Sequence, residues 1–103
     1  MDDLMIYVKE HVTEEGVIIA MCDEMLIGKV LEEGKVIIDL DTYAEFYKGA
    51  LMQPKGYIKG NAKIISANII GKEAVATAID NMIIESENIK QIKGIPYAHA
   101  YHV

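Results

Sequence analysis

Apolar and polar positions along this chain change their period several times, and each change predicts an element. Residues 4–12, LMIYVKEHV, are rich in strand-forming residues and run into the turn-like TEEG. Apolar residues resume as VIIAMCD, from Val17 to Asp23. Two such runs joined by a short glycine-containing loop predict a β-hairpin. DEMLIGKVLEEG predicts a turn or a single helical turn broken at Gly28. KVIIDLD, Lys35 to Asp41, predicts a third strand introduced by Glu32-Glu33-Gly34. TYAEFYKGALMQ has no clear period and reads as irregular or as a short extension.

Helical spacing follows. Val75, Ala78, Ile79, Met82 and Ile83 recur at i, i+3, i+4, i+7 and i+8, which predicts a helix over 72–83 with Gly71 as its N-cap and Glu73 in its first turn. A second helix is predicted just before it, over 54–67. At about 100° per residue, Tyr57, Ile58, Ile64 and Ile65 fall within a sector about 120° wide, and Lys55, Lys59 and Lys63 form a row opposite. Pro54 suits position N1, while Gly56 and Gly60 each weaken such a helix by about 1 kcal/mol relative to alanine. After ESEN, residues Ile89 to Lys93 and Ile95 to Val103 look extended, and Pro96 argues against an uninterrupted central strand. The expected fold is therefore a single α+β domain spanning 1–103. A small antiparallel sheet packs against two consecutive helices in two layers, the C-terminal strand returns to the sheet, and Ile64, Ile65, Val75, Ile79 and Met82 are core.

Composition narrows this picture. The 103 residues are 51% hydrophobic, enough for one two-layer core. No run of about 18 apolar residues predicts a membrane span, and the acidic start MDDLMIYVKE is unlike a secretory signal. The single cysteine, Cys22, predicts neither an internal disulfide nor a thiolate zinc site, and fits a reducing cytosol. The net charge of -6 is polarised: residues 1–47 carry twelve acids and three lysines, and residues 48–103 carry four acids and seven lysines. An acidic half beside a basic half leaves an anionic partner open.

Candidate chemistry is sparse. Cys22 has acidic neighbours, which raise a thiol pKa and disfavour a nucleophile. On a strand, His99 and His102 point to opposite faces and cannot share a metal. Neither Gly28-Lys29 nor Gly71-Lys72 has phosphate-loop spacing, although Gly71 and Lys72 at a helix start could hold an anion. The acidic pairs flank turns and read as solvated charge. Two candidate surfaces remain. Lys55, Lys59 and Lys63, with Lys72, lie in a stretch from Phe46 to Lys72 that holds five lysines and no acid. Their bland reading is a solvated helix face. Tyr97, His99 and Tyr101 share one face of the last strand and could stack against bases, against the bland reading of a half-buried strand face.

Four stretches, CDEMLIGK at 22–29, FYKG at 46–49, NIIGKEAVATAI at 68–79 and GIPYAH at 94–99, together resemble an archaeal family known as domain-of-unknown-function family 424. The last motif usually reads Gly-Val-Pro-His-Ala there. Here Tyr97 stands at the histidine position, and a histidine follows at His99. The resemblance implies a small archaeal cytoplasmic protein with no assigned activity. The residues themselves lead to the expectation of a non-enzymatic binding or assembly module for an acidic partner, a protein surface or RNA. The alternative is an RNA-associated protein linked to translation, with an enzyme holding an unrecognised small-molecule site third. No cofactor is expected, no membrane partner is expected, and a homo-oligomer is left open.

Overall fold

In the computed structural model, which describes residues 4–102, the chain runs as eight strands and two helices. The strands are β1 (Ile6–Val12), β2 (Val17–Asp23), β3 (Val30–Glu33), β4 (Val36–Asp39), β5 (Ala50–Met52), β6 (Ile64–Ile70), β7 (Ile89–Ile92) and β8 (Ile95–Tyr101). The helices are α1 (Ala44–Tyr47), a single turn, and α2 (Lys72–Asp80). Short 3-10 turns lie at Glu24–Leu26, Pro54–Gly56 and Ser86–Asn88. Six strands form one mixed sheet in the order β5-β1-β2-β6-β8-β7, and β3 with β4 makes a separate antiparallel hairpin. The acidic start at 1–3 and Val103, the end of the expected last strand, lie outside the described residues.

The first hairpin forms as its pattern predicts. Thr13 and Gly16 close it through backbone and hydroxyl hydrogen bonds, and Ile6 to Val12 pair with Asp23 to Val17. At the centre of the sheet β2 and β6 run parallel, Ile19 beside Ala67 and Met21 beside Ile69. A parallel pair needs a long crossover. Here it is the segment between Asp23 and Ile64, which builds the β3–β4 hairpin, α1 and the edge strand β5 on its way. Gly49 lets that segment press against β1, because a side chain there would overlap the Val8 carbonyl.

Both faces of the sheet are covered. On one, Ile6, Val8, Ile19, Met21, Ala67, Ile69, Ala98 and Ala100 pack against Ala74, Val75 and Ala78 of α2 and against Ile83 and Ile84. On the other, Ala20, Cys22, Ile70, Ile92 and Tyr97 pack beneath Leu26, Leu31, Ile38, Leu40 and Tyr47 from the hairpin and its flanks. The molecule is therefore three layers deep at its centre.

This corrects the expected fold. The protein is mostly β, and α2 is the one helix longer than a single turn among the described residues. The small antiparallel sheet with two consecutive helices does not form. Residues 54–67 make a 3-10 turn, an extended connection and the first part of β6. Gly56 and Gly60 break the stretch, and the β-branched Ile64, Ile65, Ile69 and Ile70 join a ladder instead. The apparent wheel arose because a strand and a loop happened to space their isoleucines at helical intervals. The expected core changes accordingly. Val75 is buried, Ile64, Ile65 and Ile79 are partly buried, and Met82 is 87% exposed. Pro96 does sit in an interior strand, but at a point that avoids the cost. The β6 ladder reaches only to Tyr97, and on that side Pro96 uses its carbonyl alone, which accepts from the Gly71 N–H, so no N–H is called for there.

Candidate functional site

The start of α2 is built around Asp23, the last residue of β2. Its carboxylate accepts hydrogen bonds from the Glu73 N–H at 3.2 Å and the Ala74 N–H at 2.8 Å. The helix N-terminus, proposed from sequence as an anion site through Gly71 and Lys72, thus already holds an anion of the chain's own. Gly71 has a positive φ of 110° and lies so close to Asp23 that a Cβ would overlap the carboxylate. Burial pushes the Asp23 pKa up, against the lowering effect of these N–H donors. The Gly71 N–H donates to the Pro96 carbonyl at 2.9 Å. Lys29 and Lys72 line a recess of about 330 Å³ with Asp23, Leu26 and Pro96.

The lysine row does not lie on a helix face. Lys55, Lys59 and Lys63 are all exposed, on the 3-10 turn and the extended connection after it. Two of them converge nonetheless. Lys59 and Lys63 line a cleft of about 320 Å³ with Asn61, Met82, Ile83 and His102. No Asp or Glu side chain is among the described residues that line it. The connection is pinned over the end of α2 by the Lys59 N–H, which donates to the Asn81 side chain at 3.0 Å. A ring nitrogen of His102 lies 2.9 Å from the Ile83 carbonyl, which fixes the imidazole at the cleft wall. Lys55 lies outside this cleft, and Lys72 belongs to the recess described above.

Strand β8 sends Tyr97, His99 and Tyr101 to one face, but their surroundings differ. Tyr97 is buried and meets the His99 ring edge-on at 5.6 Å, so it cannot offer a stacking face. Tyr101 is 81% exposed. His99 lies between them on the floor of a groove of about 470 Å³, beside its cross-strand partner Asn68 on β6. One wall is β4 and its end, from Ile37 to Leu40. The other is Tyr43, Phe46 and Tyr47 of the α1 segment.

That second wall was not legible as a site in the sequence. Tyr43, Phe46 and Tyr47 are spaced i, i+3 and i+4, a signal for one face of a short helix that could have been read. The segment is held to β1 from below. His11 stacks on Phe46 with ring centroids 4.4 Å apart, and its Nε2 lies 2.9 Å from the Phe46 carbonyl. Partial burial, then the Lys90 ammonium, hold the His99 pKa below the ordinary 6.5. Asp39 also lines the groove. Its Oδ1 accepts from the Asp41 and Thr42 N–H groups at 3.0 and 2.8 Å, and hydrogen bonds from Thr42 hold its pKa low.

Cys22 is fully buried, and burial followed by the Asp23 charge pushes its thiol up to about 12. Among the described residues no three of His, Cys, Asp and Glu gather in a way that could hold a metal ion, and no helix is long and apolar enough to cross a membrane.

The model of a family described as "Protein of unknown function (DUF424)" matches residues 10–103, a span that includes all four stretches quoted from the sequence. The fold is similar to that of a crystal structure of an uncharacterized conserved protein from Methanopyrus kandleri. The TM-score is 0.75 at 23% identity, covering 96% of this chain and 92% of that one. No curated protein matches the chain.

Proposed function

Because the chain belongs to the DUF424 family of proteins of unknown function, its role has to be read from its own surfaces, and we propose that it is a non-enzymatic binding module that holds an anionic partner at the Lys59–Lys63 cleft. The observation that carries this reading is the meeting of Lys59, Lys63 and His102 around one cleft with no Asp or Glu side chain among its described lining residues. An exposed surface of this kind usually mixes both signs of charge. Two exposed lysines in one concavity attract a polyanion whose phosphates or carboxylates span them. The acidity of the chain belongs mostly to residues 1–47, and the turn carrying Glu14 and Glu15 reaches the Lys63 backbone through the Val17 N–H, so it opposes an anionic partner at that end of the cleft and the two lysines have to outweigh it.

RNA is the partner class with the steepest test. Labelled single-stranded RNA and a labelled polyglutamate peptide are titrated at two salt concentrations against wild type and a Lys59→Gln/Lys63→Gln double variant. Tight RNA binding that falls steeply with salt is expected. The double variant should bind more weakly and flatten the log–log salt slope by about 1.4, two contacts at about 0.7 each. Preference for polyglutamate would assign an acidic protein surface instead. Equal affinities of the two proteins for both probes at low salt would reduce the cleft to a solvated surface.

A further inference from the structure

The groove on the other side of the sheet is a second and different site. Its floor carries two polar side chains side by side, Asn68 and His99, which are cross-strand partners in the β6–β8 ladder. Neither has a hydrogen-bond partner among the described residues. An amide carries donors and an acceptor, and a neutral imidazole carries one of each. The floor thus presents an unused hydrogen-bonding edge. The wall offers aromatic surface, with Tyr43 63% exposed at the rim and Phe46 and Tyr47 behind it. The volume, about 470 Å³, lies within the range usual for small-molecule sites.

Charge narrows the occupant further. Among the described residues no lysine lines the groove, and the one carboxylate lining it is Asp39, kept ionised by its hydrogen-bond donors. An anionic group is repelled by this carboxylate, and a cation finds it already committed to two N–H groups. A flat, uncharged ring with donors and acceptors on its edge satisfies both the floor and the wall.

From this geometry we infer that the groove binds a nucleobase, its edge hydrogen-bonded to Asn68 and His99 and its face against Tyr43. Any sugar and phosphate then point out of the groove, away from Asp39. The base could belong to a free nucleoside or to a single-stranded RNA. The chemistry of recognition is the same in both cases. The inference stands apart from the lysine cleft and does not require it.

The test is an amide and side-chain NMR titration of the protein with each of the four ribonucleosides, a mixed-sequence single-stranded RNA, and phenol as an aromatic control. At least one nucleoside or the RNA should shift the Asn68 side-chain amide and the His99 imidazole. Tyr43→Ala and Asn68→Leu should each weaken that binding at least tenfold, with Tyr43→Phe close to wild type and folding of every variant checked by circular dichroism. Tyr43 is exposed, so its variants keep the test valid if Asn68→Leu fails to fold. Saturation by a nucleoside assigns a free ligand, and response to RNA alone assigns a base within a chain. Perturbation by phenol as strong as by any nucleoside would overturn the inference, as would shifts confined to residues outside the groove or none with any probe. Wild-type affinity in Tyr43→Ala would overturn it equally.

Discussion

At the scale of single residues, the most informative side chain is His99. Its low pKa has two named sources, first the protein packed around the ring and then the Lys90 ammonium. The sign of the stability effect follows from proton counting. The unfolded chain takes up this proton near pH 6.5, and the folded protein does so only at lower pH. Stability from this residue is therefore fully present above pH 6.5 and is lost as pH falls through the folded pKa. A titration of the His99 ring by NMR should give a midpoint below 6.5. Lys90→Gln should move it up without restoring it fully, because burial is the larger cause. A midpoint at or above 6.5 in wild type would contradict this account. The sequence showed the alternation of Tyr97, His99 and Tyr101 correctly, since a strand's period is fixed. It could not show that Tyr97 is covered by the hairpin while Tyr101 is not, because the cover comes from residues some sixty positions earlier.

Among the elements, α2 is the clearest comparison of pattern and outcome. The stripe Val75, Ala78, Ile79, Met82, Ile83 predicts a helix to 83, yet α2 stops at Asp80. Its end is a Schellman motif. The Ile83 N–H donates to the Ala78 carbonyl at 2.8 Å and the Met82 N–H to the Ile79 carbonyl at 3.0 Å. Ile83 is buried through the apolar contact that accompanies this motif, and so it mimics one more turn of helix. Met82 takes the left-handed position, φ 57°, where glycine is the usual residue. Met82→Gly should therefore raise stability by up to about 1 kcal/mol, read from a urea titration. A loss of stability would mean that the Met82 side chain contributes packing despite its exposure. The misreading of 54–67 has a related cause. Two glycines and a run of β-branched residues outweigh a wheel built on four apolar positions. A continuous apolar run such as VIIAMC was a better guide, since it marks a strand covered on both faces.

For the whole molecule, the layers on either side of the sheet make the fold depend on contacts between distant segments. Cys22 reports on this directly. Its thiol lies beneath Leu31, Ile38 and Leu40 of the hairpin layer and is pushed up to about 12 by burial and by Asp23. Under native conditions near pH 8 it should resist a thiol reagent and react at the rate of global unfolding, becoming fully reactive in denaturant. Faster reaction with the sheet intact would reveal that the hairpin layer opens by itself. The groove as a whole also belongs to this scale. Its parts come from β4, the α1 segment, β6 and β8, and only the joint topology sets them around one floor. That is why composition and spacing left the groove unseen, while its histidine was visible from the start.

The carboxylate of Asp23 is 50 residues upstream of the first N–H it caps. Most helices bring their cap with them in the adjoining residue. The nine residues of α2 do not, and so short a helix is marginal alone in water. During synthesis the strand carrying Asp23 leaves the ribosome well before Lys72 does, and it belongs to a local hairpin that can close early. The helix therefore emerges toward a receptor that has already been made. A permuted chain that delivered α2 ahead of β2 would reverse this order, and its first helical turn would wait with its N–H groups unanswered until the far end of the chain arrived.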